Sequence, residues 1–380
     1  MRVAIAGFGI GGAALSIALA RDGHEATVYE RAPDPGPVGA GFLLQPSGQA
    51  VLAELGLLDE VAAASWPIRA FHAESAAGRT LSELRYDRRD PTAHALGVSR
   101  GRLFMTLMTV ATAAGVRLEA GVEIVGAAEQ VDAVVPLAAD GAGRAPVDLL
   151  VGADGMRSVI RRVVDPSARL RLSPFAALWG IGPTSAACAN RLRQQARGVG
   201  LLTGLLPVAE REAAVFWGLR AGEVDALRMD GFERLVDRAA AVLPETREVL
   251  EAIGGFDRLL LARYGHATVR RTHTDRIVLI GDAAHPSPPH LGQGANLALL
   301  DAAALAEALR SERTPAAAFR RWDRMRRFQN ARYTIMSRAL SPFFQSSHGW
   351  LGPPRDLGLP IMTRLPPTRA IMERVLAGRG

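Results

Sequence analysis

Residues 2–30 read RVAIAGFGIGGAALSIALARDGHEATVYE. The hydrophobic pattern predicts a buried strand at 2–6, a glycine-rich turn at 7–12, a helix at 13–21 and a second strand at 25–30. A strand, a helix and a strand in such quick succession predict two parallel strands joined by a right-handed crossover. The stretch therefore indicates an α/β domain that begins near the first residue.

The turn of this unit fits the pattern G-x-G-x-x-G through Gly7, Gly9 and Gly12. The first glycine permits the tight turn, the second lets the backbone approach a diphosphate, and the third lets the helix pack close to the strand. Glu30 ends the next strand, where a carboxylate can accept hydrogen bonds from a ribose. These features predict a dinucleotide site, and the alternative is a structural turn with a surface glutamate.

Two later segments suit the other parts of such a ligand. Residues 281–285 (GDAAH) follow a predicted strand at 276–280, and residues 289–296 (PHLGQGAN) lead into a long Ala/Leu helix. A carboxylate at a strand end can bind a polyol, and the free amides of a glycine-rich helix start can bind a carbonyl-bearing ring. Residues 152–158 (GADGMRS) form a third loop, in which Asp154 is expected to cap a helix.

The middle of the chain has a different pattern. Strand-like pieces at 68–74 and 79–86 predict a hairpin, and alternating segments near 213–220 and 258–264 predict a second sheet inserted into the first domain. Helices are predicted at 232–242 and 245–253. From Ser341 the text is rich in Pro and Gly, so we expect packed irregular structure with one helix near 368–376.

Composition excludes several classes of function. The 380 residues are 48% hydrophobic, and all 45 basic residues are arginine, for a net charge of +7. Without lysine there is no Schiff-base or P-loop chemistry. The arginines are scattered, so we expect no nucleic-acid partner. The single Cys188 allows no intrachain disulfide and no cysteine metal cluster, and we expect no metal. We expect neither an export signal nor a membrane span, and hence a cytoplasmic protein.

The three glycine-containing segments, in this order, resemble those of the FAD-dependent aromatic hydroxylases of the para-hydroxybenzoate hydroxylase type, in the salicylate-hydroxylase-like and urate-hydroxylase-like branch. The resemblance covers 2–60, 96–164 and 275–310. It implies an α/β fold in which a Rossmann-like FAD-binding domain carries an inserted, mainly antiparallel β-sheet substrate domain and C-terminal helices. The implied boundaries are 1–70, 96–170 and 270–340 for the FAD-binding domain, 71–95 and 171–269 for the sheet domain, and 341–380 for a tail packed on the FAD-binding domain.

The resemblance also implies which residues bind the cofactor. Arg100 falls at the diphosphate, Asp282 at the ribityl chain, and 292–296 along the flavin ring. The full set of implied FAD contacts is Gly7, Gly9, Ile10, Gly11, Gly12, Glu30, Arg31, Gly41, Arg100, Val122, Asp154, Gly155, Gly281, Asp282, Pro289, Gly292, Gln293, Gly294, Ala295 and Asn296. Two departures from the family pattern lie at the pocket mouth: 45–48 read QPSG where many relatives have Pro-Asn, and the strand before Trp179 lacks an Arg-Gly pair.

The implied activity is that of an NAD(P)H-consuming monooxygenase. NADPH or NADH, bound transiently, reduces FAD, and O2 then adds at flavin C4a to give the hydroperoxide that hydroxylates an aromatic, heteroaromatic or polyketide-like molecule. Candidates for a base that activates the ring are His72, His290 and Tyr264, although a structural role is the alternative for each histidine. The predicted substrate pocket consists of Trp179, Leu201, Thr203, Phe216, Trp217 and Pro289.

Two other functions stay open at this stage. The same fold can serve a flavin-dependent dehydrogenase or reductase, which incorporates no oxygen into its product. It can also serve a non-catalytic flavin-binding redox sensor. The expected state is a monomer or homodimer, and the sequence does not choose between NADPH and NADH.

Overall fold

The structure, a computed structural model, describes residues 1–36, 40–88, 90–185 and 190–378. Cys188 lies outside these ranges. In chain order the strands are β1 Arg2–Ala6, β2 Glu25–Glu30, β3 Gly41–Leu44, β4 Trp66–Ile68, β5 Ala70–Ser75, β6 Thr80–Arg85, β7 Ala95–Ser99, β8 Arg117–Ala120, β9 Ile124–Glu129, β10 Val134–Ala138, β11 Leu149–Gly152, β12 Arg169–Pro183, β13 Arg191–Arg197, β14 Leu201–Ala209, β15 Glu212–Arg220, β16 Leu260–Thr268 and β17 Ile277–Leu279.

The helices surround these strands. They are α1 Ile10–Arg21, α2 Pro46–Glu54, α3 Leu58–Ala63, α4 Arg100–Ala113, α5 Ile160–Val164, α6 Val224–Asp230, α7 Phe232–Ala240, α8 Thr246–Ile253, α9 Gly294–Ser311, α10 Pro315–Phe344, α11 Gly352–Arg364 and α12 Pro366–Leu376. Within the described ranges, no helix combines the length and apolarity needed to cross a bilayer.

A parallel sheet organises the ends of the chain. Its five strands run in the order β17-β11-β1-β2-β8, and every neighbouring pair is parallel. The strands β1 and β2 pair through Val3 with Ala26 and Ile5 with Val28, which confirms the predicted parallel crossover through α1. Because the strands are parallel, the loops after β1, β11 and β17 lie at one edge of the sheet.

A second sheet comes from the middle of the chain. It has seven strands in the order β16-β12-β15-β14-β13-β5-β6, antiparallel except for the pair β5 and β13. The predicted hairpin is β5–β6. One face of this sheet packs on α7 and α8, and the other packs on β3 and β7 of a small three-stranded sheet. The fold is therefore mixed α/β with antiparallel sheets beside the parallel one.

The main core lies around the parallel sheet. Fully buried aliphatic side chains of β1, α1 and α9 form it, and the aromatic rings of Phe319 and Trp322 on α10 close it. The helix α1 begins at Ile10 directly after Gly9 and ends at Arg21, with ten of its twelve residues buried. The start of α1 is thus fixed by tertiary packing on both sides, which holds the glycine turn rigidly at the sheet edge.

The C-terminal region differs from the sequence prediction. The helix α10 continues to Phe344, and 352–364 form α11, so the expectation of irregular structure there is wrong. Prolines stand in the first turns of α11 and α12, where their missing N–H has no intrahelical partner to lose. The predicted packing of 341–380 on the FAD-binding domain is also incomplete: α11 lies on β6, while Val375 of α12 packs against Leu297 and Tyr333.

Candidate active site

Three loops at the edge of the parallel sheet surround one cleft. Gly7 has φ 102°, and a Cβ there would lie 2.6 Å from the Ala153 carbonyl oxygen, so the loops after β1 and β11 are in contact. Cβ atoms built on Gly11 and Gly281 would lie 3.2 and 3.0 Å from the Cβ of Ala298 on α9. The folded chain therefore brings together the glycine turn, the Asp-Gly loop and the Gly-Asp loop that the sequence singles out.

The glycine turn has one packed side and one open side. A Cβ on Gly12 would lie 2.1 Å from the carbonyl oxygen of Gly7, whereas a Cβ on Gly9 would meet no atom within 4 Å. No side chain caps the N-terminus of α1, and its first turn holds no acidic residue. The amides and the positive end of the helix dipole thus face a cradle that a diphosphate fits.

Glu30 lies beside this turn. Its carboxylate accepts hydrogen bonds from the N–H groups of Phe8 at 2.8 Å and Ala32 at 3.0 Å. The N–H of Val122 donates to the Glu30 carbonyl at 2.9 Å, which holds Val122 at the same strand end. The structure therefore groups Glu30 and Val122 at the end of the cleft where the resemblance puts adenosine.

The Asp-Gly loop contains a buried carboxylate with one free oxygen. Asp154 Oδ2 accepts from the N–H groups of Val159 at 2.8 Å and Ile160 at 3.2 Å, so it binds amides at the start of α5, although the N-cap residue of that helix is Val159. Asp154 Oδ1 is buried and has no partner among the described residues. Burial raises the pKa of Asp154 above its usual value. A buried oxygen without a partner is costly in a finished site, and a bound polar ligand would satisfy it.

The Gly-Asp loop presents Asp282 to the cleft. Asp282 is exposed to solvent on one side, while protein atoms surround the carboxylate on the others. The carboxylate therefore lies on the wall of the cleft. Burial raises the pKa of Asp282, and the positive charges of His285, Arg100 and Arg161 oppose that rise. A Cβ on Gly294 would lie 3.8 Å from Asp282 Oδ1, so the start of α9 adjoins this carboxylate. The structure thus gathers the predicted diphosphate, ribityl and ring-side segments.

Arg161 is a site residue that the sequence reasoning missed. Its guanidinium is buried and donates to the carbonyl oxygens of Met156, Asp282 and Ala283 at 2.9, 2.8 and 2.7 Å, and to that of Gly155 at 3.3 Å. One side chain therefore ties the Asp-Gly loop to the Gly-Asp loop. In the sequence it appears only as half of an arginine pair, and no local signal distinguishes it from its exposed neighbour Arg162.

Asp301 anchors the Gly-Asp loop from α9. It is fully buried and accepts from Gly281 N–H at 2.9 Å, His285 Nε2 at 2.6 Å and Arg326 Nε at 2.8 Å. Burial by itself would raise the pKa of Asp301, but the positive charges and hydrogen bonds of His285 and Arg326 hold it far below its usual value. His285 is thus engaged in a structural hydrogen bond.

The ring-side loop is held by its side chains. Gly292 has φ 61°. Asn296 Oδ1 accepts from the Gln45 N–H at 2.8 Å, and its Nδ2 donates to the Leu43 carbonyl at 2.9 Å. Gln45 in turn accepts from the Tyr86 hydroxyl at 2.6 Å, so the departure at 45–48 supplies a structural hydrogen bond. The side chains face protein, which leaves backbone groups of this loop for a ligand.

The other predicted FAD contacts occupy varied positions. Gly41 begins β3, and a Cβ there would lie 2.4 Å from the Cβ of Ala214, so close packing between the sheets requires this glycine. Gln293 Nε2 donates to the Leu376 carbonyl at 3.0 Å. The remaining positions are Ile10 in the first turn of α1, exposed Arg31 after β2, Gly155 with φ 77°, Pro289 in a short 3-10 turn, and Ala295 in the first turn of α9.

Aromatic side chains line the face of the seven-stranded sheet that looks toward β3 and the ring-side loop. Trp179 and Phe216 stack with their centroids 4.8 Å apart. Tyr264 packs near Trp179 and donates its hydroxyl hydrogen to Gln345. His290 stacks on Phe344 at 6.2 Å, which connects this aromatic face to the loop before Gly292. A flat substrate placed here would lie between the sheet and the ring-side loop.

Three predicted pocket residues lie on the opposite face. Leu201 and Trp217 pack against α7 and α8, and Thr203 is fully buried with its hydroxyl donating to the Phe216 carbonyl at 2.7 Å. The reason is the two-residue period of a strand, which turns Phe216 and Trp217 to opposite faces. The six predicted residues therefore do not form one pocket, and only Trp179, Phe216 and Pro289 remain candidates.

The three candidate bases are not brought together. The strands of His72 and Tyr264 are five sheet positions apart, roughly 24 Å at strand spacing. His72 Nε2 forms a hydrogen bond with Glu74 Oε1 at 2.8 Å, so that nitrogen is already engaged. Burial raises the pKa of Tyr264 and lowers the pKa of His290 to about 4, so both are neutral near pH 7. A neutral imidazole can accept a proton, but a pKa of about 4 makes His290 a weak base for a phenol, and a neutral tyrosine is no base. A catalytic role for any of the three stays a prediction.

Comparisons with known proteins agree with this geometry. The family described as "FAD binding domain" matches residues 1–327. The chain is 30% identical to aurachin C monooxygenase/isomerase of Stigmatella aurantiaca, over 86% of this chain and 85% of that protein. It is 31% identical to 3-amino-4-hydroxybenzoate 2-monooxygenase of Streptomyces cremeus, over 92% and 89%. The crystal structure of Klebsiella pneumoniae HpxO complexed with FAD and uric acid superposes with a TM-score of 0.84 at 23% identity, covering 100% of this chain and 97% of that one.

Proposed function

The chain belongs to the FAD-binding domain family that includes these flavin monooxygenases, and from that membership we propose that it hydroxylates an aromatic or heteroaromatic small molecule with FAD, O2 and NADPH or NADH. The observation that carries the proposal is the convergence of the glycine turn, Asp154 and Asp282 at one edge of the parallel sheet. The expected cytoplasmic location and the monomeric or dimeric state stay predictions.

The residues of the cleft fit FAD. The open side of Gly9 and the uncapped amides of α1 would hold the diphosphate, and Glu30 would bind the ribose. Asp282, near Arg100, would bind the ribityl hydroxyls. The Gly292 amide donates to the Pro289 carbonyl, so the backbone amides of 293–296 would face the ring. When bound, the flavin supplies the redox and oxygen chemistry. The chain's own part is to fix the position of the cofactor through Arg161 and Asp301 and to keep water away.

The seven-stranded sheet would serve as the substrate domain. Its inner face would cover the ring with Trp179 and Phe216, and burial of a flat substrate there excludes the water that wastes activated oxygen. The predicted division of the chain into an FAD-binding domain and an inserted sheet domain is part of this proposal. The transient binding of the nicotinamide also belongs to the proposal.

The aromatic face favours an uncharged ring. Tyr264 and His290 are both neutral near pH 7, because burial raises the pKa of the first and lowers that of the second. A desolvated carboxylate placed beside neutral aromatic groups is costly. Two cations near these groups, Arg220 and Arg355, already lie over the rings of Phe175 and Phe344, at 5.3 and 5.6 Å from the ring centroids. Of the relatives, one is named for aurachin C and the other for an aminohydroxybenzoate. We propose a substrate of the first kind, with no charge on its ring, in preference to a benzoate.

The test is labelled-oxygen incorporation by the FAD-reconstituted enzyme. A panel of neutral bicyclic heteroaromatics and of hydroxybenzoates is supplied with NADPH, and the product mass is measured. One labelled oxygen in a heteroaromatic product supports the proposal. NADPH oxidation that every panel compound leaves unchanged, with all electrons recovered as peroxide, contradicts it and favours the dehydrogenase or sensor alternatives.

A matched pair of variants tests the pocket assignment. Phe216→Leu is expected to raise KM and the peroxide fraction, because it removes the ring that stacks on Trp179. Trp217→Leu, one residue away on the opposite face, is expected to keep KM and coupling while it lowers thermal stability. Equal effects of the two variants on KM would show that the substrate does not lie on the Phe216 face.

A further inference from the structure

The positive charge of the protein is concentrated at its C-terminal end. Residues 324–380 contain ten arginines and two acidic residues, a net charge of +8, so the rest of the chain is close to neutral. The helix α10 alone carries seven arginines and one acidic residue, Asp323. Although the arginines look scattered in the sequence as a whole, this helix is a localised basic element.

The exposed face of α10 has an apolar ridge. Phe328 and Ile335 are 74% and 65% exposed, and their spacing of seven residues places them on one face of the helix. Ala331 and Ala339 continue that face and are exposed as well. The opposite face buries Trp322, Arg326, Tyr333 and Ser337 against the body of the protein. The ridge is thus the outermost line of a firmly anchored helix.

Arginines border the ridge on both sides. At 100° per residue, Arg324 and Arg327 lie on one side of the line through Phe328 and Ile335. On the other side lies Arg332, which is half-buried with its guanidinium over the Tyr333 ring. Arg320 and Arg324 are exposed, and no hydrogen bond or ion pair is found for either side chain within the described ranges. Asp323 accepts from the Thr272 hydroxyl at 3.3 Å and also lies 3.7 Å from Arg327 Nη1, so of the described exposed arginines here Arg327 is paired while Arg320 and Arg324 carry the unpaired charge. The ridge with its arginine border is called the α10 ridge below.

From this arrangement we infer that the α10 ridge is a docking surface for a membrane that contains anionic phospholipids. Exposed phenylalanine and isoleucine enter the boundary between headgroups and acyl chains, and flanking arginines remain level with the phosphates. Each basic side chain near such a surface adds attraction. The association is peripheral and is independent of the proposed hydroxylation.

Other partners fit the α10 ridge less well. A second copy packed ridge to ridge would set the arginines of one α10 against those of the other, and like charges repel. A nucleic acid would meet the arginines but would leave Phe328 and Ile335 without an apolar partner. Of the described exposed large apolar side chains, nine of sixteen lie between Met325 and Ile371, so the apolar character extends into α11 and α12. A lipid surface accepts both the charge and the apolar groups.

The test uses the FAD-loaded full chain and sedimentation with vesicles of phosphatidylcholine, either alone or with about one third phosphatidylglycerol. We expect binding to the mixed vesicles, at least tenfold weaker binding to pure phosphatidylcholine, and loss of binding at high salt. Phe328→Ser with Ile335→Ser is expected to weaken binding at least tenfold. Arg320→Gln with Arg324→Gln is expected to weaken it about fivefold per arginine.

Matched controls lie elsewhere on the surface. Met229→Ser removes an apolar side chain that is 84% exposed on α6, and Arg79→Gln with Arg211→Gln removes two exposed arginines. Neither control is expected to change vesicle binding. Absence of binding to the mixed vesicles, or equal losses in the controls, would overturn the inference. So would a wild-type dimer that the Phe328/Ile335 variant dissociates, or retention on duplex DNA that exceeds retention on vesicles.

Discussion

Two glycines in the same turn are expected to fail in different ways when each is replaced by alanine. Gly9 has φ −73°, which alanine adopts freely, and its added Cβ would meet nothing within 4 Å. The added Cβ of Gly12 would lie 2.1 Å from the Gly7 carbonyl oxygen, far inside van der Waals contact. Gly9→Ala is therefore expected to spare the fold and Gly12→Ala to damage it.

The magnitudes follow from these contacts. Gly9→Ala costs at most about 1 kcal/mol of stability, as a cap substitution does. Its methyl group occupies the cradle, and the loss of one or two charge-assisted hydrogen bonds weakens FAD binding by about 3 kcal/mol, roughly a hundredfold. Gly12→Ala forces backbone apart in a packed core, at a cost of about 3 kcal/mol to the free energy of unfolding.

Two measurements separate these outcomes. Thermal unfolding of the FAD-free protein reports the fold, and quenching of FAD fluorescence on titration with that protein reports the affinity. If Gly9→Ala binds FAD as tightly as the wild type, the diphosphate does not lie against this turn. If Gly12→Ala leaves the unfolding midpoint unchanged, the close packing of α1 against Gly7 is incorrect.

Three further variants test the site. Arg161→Met is expected to lower the free energy of unfolding by about 3 kcal/mol and the FAD affinity at least tenfold, because it leaves carbonyls of both loops without a donor. The control is Arg162→Met, at the exposed neighbouring position. If flavin content falls equally in both variants, Arg161 does not hold the two loops together. His290 has a pKa of about 4 in the folded protein against 6.5 otherwise, so the unfolded chain binds more protons between these pH values. The free energy of unfolding should thus rise by about 3 kcal/mol from pH 4 to 6.5 and then level off, and denaturant titrations of His290→Gln should show no such slope. Tyr264→Phe is expected to lower the free energy of unfolding by about 1 to 2 kcal/mol, because the hydrogen bond to Gln345 is lost. Because burial raises the Tyr264 pKa, the kcat/KM profiles of this variant and the wild type should have the same shape below about pH 9. A difference there would show that Tyr264 ionises in that range.

Local patterns in the sequence predicted most of the segments that form the cofactor cleft. The glycine turn, Glu30 and the two aspartate loops were recognisable because each lies at the end of a buried strand, and parallel strands bring such ends to one edge. Arg161 had no comparable signal, and Asp301 stood out only by its place seven positions into the helix that begins at Gly294. Their roles depend on carbonyls and cations more than a hundred positions away or on a facing helix, contacts that only packing creates.

The sequence also did not determine which aromatic residues face the cleft. The composition of β15 predicted a strand with bulky residues, yet which of Phe216 and Trp217 faces the cleft depends on the register of the sheet against β3 and α7. A shift of one residue would exchange them. The tail was misread because its prolines suggested loops, although four of the six stand in first turns of helices and Pro342 and Pro360 lie inside α10 and α11.

The sequence by itself determined the parallel crossover, the glycine turn and the family, because these depend on residues close together in the chain and on short-range geometry. Tertiary structure decided which side chains share the cleft, which face of the inserted sheet looks into it, and that the arginines of α10 border an exposed apolar ridge. Those properties arise from packing between parts of the chain that are far apart in the sequence, and a local sequence pattern does not show which residues such packing brings together.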